Sequence, residues 1–260
     1  MTANKNDKIL IIDSKNYPDQ NSNDLTILLD EELKNVECLR IIYAGIPCTF
    51  YNISKERKNN TFLFSNKDNP SSNKKDDDWK PIVLSDGFYD VKSFVSEFQF
   101  QLEQNKIHRL AVRFDVQEST GKIVIKFGKG RIKYTLVLTR ETADLLGISP
   151  PFYLTDDGRV IIGDKPINFK PFDYFHIHCD IIKTDNILYN GKRSDILVRL
   201  PVKNCDFGET NHHYLTGLRD RCCDNSFNKL RILVTDEHNK PIDFNGADIQ
   251  YELLIRFSSE

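Results

Sequence analysis

The 260 residues include 39% hydrophobic and 11% aromatic side chains, enough to bury a large core and too many for a globally disordered chain. A formal charge of −2 excludes the strong basic excess of a nucleic-acid coat, so no direct nucleic-acid partner is expected. No apolar run approaches a membrane span, and the polar opening Met1-Thr2-Ala3-Asn4-Lys5 lacks a signal peptide's layout, which points to synthesis in the cytosol.

Residues 8–13 form a short apolar run and predict a strand. A turn cluster at 19–24 precedes a second strand at 25–29, and 38–44 reads as a third, with Pro47 marking its end or an edge. Residues 55–78 are rich in Asn, Lys, Asp and Ser and read as a hairpin tip or mobile loop, interrupted only by Thr61-Phe62-Leu63-Phe64. Asp90 is a plausible N-cap for a helix whose apolar stripe is Val91, Phe94, Val95, Phe98 and Leu102. Three alternating runs follow, on Leu110 to Val116, Ile123 to Phe127 and Ile132 to Leu138, and predict a three-stranded antiparallel meander covered by that helix. Thr139 can cap a short helix that Gly147 stops.

Beyond Pro150 the strongest strands are 175–181 and 195–200, followed by a closing pair at 230–244 and 249–257. The last alternates Ile249, Tyr251, Leu253, Ile255 and Phe257 onto one face, as a half-buried strand does. Strands at both ends with an α+β unit between them predict a mainly β protein. Residues 1–81 and 149–260 would form one sandwich, interrupted by an inserted subdomain at 82–148.

Several landmarks in order resemble the minor capsid (penton) proteins of virophages and Polinton-like viruses. They are Leu39, Ile42, Tyr43, Asn52 and Ile53; Gly87-Phe88-Tyr89-Asp90 with Val95 and Asn105; Leu145-Leu146-Gly147-Ile148; Ile177-His178-Cys179-Asp180-Ile181-Ile182; Leu197-Val198-Arg199-Leu200-Pro201-Val202; and the closing Asp-x-x-x-x-Pro-Ile-x-Phe segment. Two departures are Lys183-Thr184-Asp185-Asn186, where the family has Gly-Asp, and the 55–78 loop, which carries no family landmark. The resemblance implies a single jelly roll that forms homopentamers at icosahedral five-fold vertices of a virion. It also implies contact with trimers of a double-jelly-roll major capsid protein. A host receptor or glycan is a further partner under this reading.

Chemistry-bearing residues are few. His176, His178 and Asp180 alternate along one strand; two histidines at i and i+2 can bind a metal when a neighbouring strand adds a third ligand. The other readings are a polar strand face, exposed or meeting another subunit, and a pH-sensitive interface. His212-His213 lies in a polar loop, where a nucleophilic pair with Cys205, Cys222 or Cys223 can be drawn without any sign that the groups approach. Six cysteines without a CxxC spacing predict reduced thiols and no structural zinc, with Cys222-Cys223 beside Arg219, Asp220 and Arg221 at a loop or edge.

Gly128-Lys129-Gly130-Arg131 is a basic hairpin turn, not a phosphate loop. Asp30-Glu31-Glu32 and Asp156-Asp157 read as solvated faces and turns. No catalytic, cofactor-binding or enzymatic constellation is expected. The alternative function is a β-sandwich module that binds a receptor or carbohydrate through exposed aromatics such as Trp79, Phe88 and Tyr89.

Overall fold

A computed structural model of the chain describes residues 7–65, 79–108, 111–128, 134–155, 160–183, 188–189, 191–203, 206–215, 217 and 219–258. The chain divides into two compact units, Met1–Phe50 with Phe172–Glu260, and Tyr51–Pro171. The first unit opens with β1 (Lys8–Asp13), β2 (Asp24–Leu33) and β3 (Val36–Pro47). The second carries β4 (Thr61–Ser65), β5 (Lys80–Val83), α1 (Val91–Gln104), β6 (Val112–Gln117), β7 (Lys122–Phe127), β8 (Thr135–Leu138), α2 (Arg140–Leu146), β9 (Tyr153–Thr155) and β10 (Ile161–Pro166). The first unit resumes with β11 (Tyr174–Cys179), β12 (Leu188–Tyr189), β13 (Lys192–Arg193) and β14 (Ile196–Pro201). It closes with β15 (Thr210–Tyr214), β16 (Arg221–Cys222), β17 (Phe227–Thr235) and β18 (Gln250–Phe257).

In the first unit one sheet has the order β1-β18-β3-β15, with β16 also on β3, and the other β14-β11-β17-β2; every pairing is antiparallel. The chain crosses between the sheets from β1 to β2 and back from β2 to β3, and β17 and β18 return beside β2 and β1. This is the double Greek key of a jelly-roll sandwich. Alternation explains its core. Tyr251, Leu253 and Ile255 on β18 face inward with Ile12 of β1 and Leu39 and Ile41 of β3, all at most 1% exposed. Phe175 and Ile177 of β11, Ile232 and Val234 of β17, and Leu25 and Ile27 of β2 supply the other layer, at no more than 2% exposure. Each such side chain contributes about 1.5–3 kcal/mol on leaving water.

The second unit is wider than the expected insertion at 82–148, because β4 and β5 belong to its sheet β5-β4-β8-β9 and β10 to its sheet β10-β7-β6. The segment read as an interruption in a loop is therefore strand β4; residues 66–78 lie outside the described residues. The expected meander does not form. β6 and β7 pair as a hairpin, but β7 takes β10 as its other neighbour, while β8 pairs β4 and β9. Alternation fixes which face of a strand is buried but not which strand lies beside it.

Helix α1 starts as its cap predicts. The Asp90 carboxylate accepts from the Ser93 N–H at 2.7 Å, and the Ser93 hydroxyl accepts from the Asp90 N–H at 2.9 Å. Its buried face, Phe94, Phe98 and Leu102, joins Phe62 of β4 and Phe114 of β6 in an aromatic core, with Phe98 and Phe114 edge to face at 4.5 Å. Helix α2 is capped by the Thr139 hydroxyl and ends at Gly147 in the left-handed conformation (φ 69°); a Cβ there would collide with the Lys165 carbonyl.

Candidate functional site

Strand β11 puts Phe175, Ile177 and Cys179 on the core face and His176 and His178 on the other. Neither histidine is on an exposed face: His176 is fully buried and His178 is 8% exposed. Local alternation cannot signal this burial, because the cover comes from other elements. Arg199 of β14 and Glu237 and Asn239 of the turn after β17 lie against His176, and burial with the Arg199 charge holds its pKa below the usual histidine value.

The His178 partners depend on an irregular register. Ile177 pairs Val198 and His178 pairs Ile196, which leaves Leu197 as an extra residue on β14 and brings Asp195 alongside His178. Nδ1–H of His178 donates to Asp195 Oδ1 at 2.7 Å, since a carboxylate only accepts. This hydrogen bond holds the Asp195 carboxyl below its ordinary range. Nε2 lies 3.0 Å from the Thr235 hydroxyl, which also has the Asp236 carbonyl in reach at 3.0 Å. That hydroxyl can donate to a neutral imidazole or accept from a protonated one.

Asp180 stands past the end of β11, exposed, and its carboxylate accepts from the Arg231 N–H at 2.7 Å. The candidate metal set His176, His178 and Asp180 is thus split among separate hydrogen-bonding roles. Among the described residues no three His, Cys, Asp or Glu side chains gather in a metal-binding group.

The polar loop expected at His212-His213 is strand β15, in register with β3 from Thr210–Pro47 to Tyr214–Tyr43. Its alternation uses polar residues, with Asn211 and His213 facing in and His212 and Tyr214 out, and so gave no apolar signal. Burial, with the nearby Lys203 and His212 charges, lowers the His213 pKa to about 4. On the outer face Tyr43 Oη and His212 Nδ1 are 2.8 Å apart, and the Tyr43 and Tyr214 rings lie 5.3 Å apart.

Among the described residues, neither Cys222 nor Cys223 pairs with His212-His213. Cys222 pairs Cys38 at one end of β3 while His212 pairs Gly45, seven residues on, a separation of about 23 Å along a strand. Burial raises the Cys38 thiol to about 11 and the Cys179 and Cys223 thiols to about 12, the reverse of an activated nucleophile. Cys48 is disulfide-bonded, which overturns the expectation of reduced thiols at that position; Cys205 lies outside the described residues. So do Lys129 to Lys133 of the basic turn, Asp156-Asp157, and Thr184 to Asn186 of the family departure. Among the described residues no helix is long and apolar enough to cross a membrane.

Two of the sequence landmarks meet within the second unit. The Asn52 side chain donates to the Tyr89 carbonyl at 2.7 Å and accepts from the Tyr89 N–H at 2.8 Å, beside a bridge from Ile53 to Gly87. Tyr89 itself is buried, with its hydroxyl donating to the Ser85 carbonyl at 2.7 Å, and Trp79 and Phe88 are half-buried. The aromatics named for a glycan platform are therefore not exposed. In the first unit the closing landmark is a turn: the Asp236 carboxylate accepts from the N–H groups of His238 and Lys240 at 2.8 and 2.9 Å, and Ile242 and Phe244 beyond it are buried.

Strand order defines a jelly-roll protein. No family model and no curated protein matches the chain. Among solved structures it is similar to the crystal structure of the mavirus penton protein, with a TM-score of 0.54 and 11% identity over 98% of this chain and 100% of that one. At that identity the likeness establishes a shared fold.

Proposed function

We propose that this chain is a structural capsid protein, a minor capsid penton that forms homopentamers at the five-fold vertices of a virion shell. The observation that carries this reading is architectural. A jelly roll with a second compact unit between β3 and β11 matches a penton protein over the full length of both chains. The ordered landmarks, from Asn52 and Tyr89 to the turn at Asp236, support the same family independently of overall identity.

The mechanism is geometric rather than catalytic. Five copies close a ring through two different surfaces of each sandwich, since a five-fold contact cannot be isologous. The same chains would rest on trimers of a double-jelly-roll major capsid protein, and the second unit would be available to a host receptor or glycan.

Native mass spectrometry tests this reading, on the chain alone and on vertex complexes released from source particles. A mass of five chains is expected. A chain that stays monomeric in both samples would overturn it.

A further inference from the structure

The first unit exposes five large hydrophobic side chains among its described residues, and all lie along two opposite margins of the sandwich. Ile9 (57% exposed) and Ile11 (72%) are on β1, and Leu28 (71%) is on β2. Tyr214 (77%) is on β15, and Phe207 (51%) is in the turn before it. β1 and β2 are the terminal strands of their sheets at one margin, and β15 and β14 at the other. Exposed apolar residues on a monomer are ordinarily scattered. Confinement to two opposed edges is what a head-to-tail ring contact leaves on a single copy.

The two margins differ in shape and charge. Between β1 and β2 lies a cavity of about 450 Å³ lined by Leu10, Leu29, Leu33 and Ile255, with Lys8 and Glu31 also at its wall. The adjoining Asp30-Glu31-Glu32 run is exposed and keeps a net negative charge although Lys8 pairs Glu31 at 3.4 Å and Lys34 pairs Glu32 at 3.5 Å. The other margin presents Tyr214 with His212 and Tyr43 on its face. Beside them stands Lys203, whose Nζ donates to the His212 carbonyl at 2.7 Å.

We infer that the β1/β2 margin of one copy receives the β15/β14 margin of the next, with Tyr214 against the apolar groove and Lys203 facing the acidic run at Glu31. The inference rests on the pentamer proposed above and names its two faces. A groove and a protruding aromatic on opposite edges of one chain make a heterologous contact that closes as a ring. Lys203 placed opposite the acidic run fixes its register.

Charge exchange tests the pairing. Glu31→Lys and Lys203→Glu are each expected to raise the concentration for half-assembly roughly tenfold, by placing like charges across the contact, and the double variant to recover most of that loss. Tyr214→Asp is expected to abolish the pentamer while leaving the monomer's circular dichroism unchanged. If the wild type is a pentamer and the single reversals leave its assembly unchanged, or the double variant is as impaired as the singles, these faces are wrong and the pentamer stands. If the wild type assembles neither alone nor in released vertex complexes, the pentamer falls and the pairing with it.

Discussion

Asn52 and Tyr89, thirty-seven residues apart, hold each other through two reciprocal hydrogen bonds between the Asn52 carboxamide and the Tyr89 backbone. Both groups are buried, and Asn59 adds a third bond by donating to the Asn52 carbonyl at 2.8 Å. Asn52→Leu would keep the branched four-atom side chain and orphan the Tyr89 N–H and C=O. An unfolding penalty of about 2–4 kcal/mol is expected, read as a lower denaturant midpoint at constant slope. A midpoint within error of the wild type would show that the pair does not hold this part of the unit.

The turn after β17 depends on one carboxylate. Asp236→Ala removes the acceptor for two backbone N–H groups and should cost about 1–2 kcal/mol. Hydrogen exchange at His238 and Lys240 should quicken in the variant. Unchanged exchange there would contradict the assignment.

Two phenylalanines on α1 provide an internal control. Phe98 is fully buried in the aromatic core and Phe100 is 51% exposed. Phe98→Ala is expected to cost about 3–5 kcal/mol and Phe100→Ala less than about 0.5 kcal/mol in thermal or chemical unfolding. Similar costs for both would mean that the helix presents a different face.

Stability should fall as pH drops from about 6.5 toward 4, because His213 is buried with a pKa lowered to about 4. In that window the unfolded chain binds a proton at this position and the folded chain does not. The stabilising contribution is full above the unfolded value near 6.5 and is lost toward 4, on the order of 3 kcal/mol at most. The lowered carboxyls of Asp195 and Asp24 act lower, their contribution being present above the unfolded value near 3.9 and lost as pH falls further. His213→Leu should reduce the slope between pH 4 and 6.5, the lowered His176 supplying the remainder, measured by urea titration at each pH. A slope identical to the wild type would place the titration elsewhere.

Thiol labelling should separate the cysteines. Cys38, Cys179 and Cys223 are buried with raised pKa values, and Cys222 is exposed. Among these four, only Cys222 should react quickly with a maleimide in the folded protein, as read by peptide mass mapping. Rapid labelling of Cys179 would contradict the packing of β11.

What the sequence disclosed followed from local periodicity and capping. β1, α1 with its Asp90 cap, α2 with its Gly147 stop, and β18 all lie close to where those signals put them. β15 was missed because Asn211 and His213 do the inward-facing work that apolar residues signal elsewhere. The exchange of β8 for β10 beside β7 is a choice between strands of similar pattern, decided by tertiary packing and invisible in either strand alone. For the same reason His176, His178 and Asp180 could be read as one face. The bulge at Leu197, the turn at 236–240 and the Arg231 N–H of β17, which give each a separate partner, come from remote parts of the chain.

If this jelly roll is a vertex protein, a cryo-electron microscopy map of the source particle will show it there. Density at each five-fold vertex should be filled by five copies, with β1-β18-β3-β15 and β14-β11-β17-β2 traceable and the second unit following β3. A vertex occupied by another chain, with this protein elsewhere in the particle or absent from it, would contradict the account.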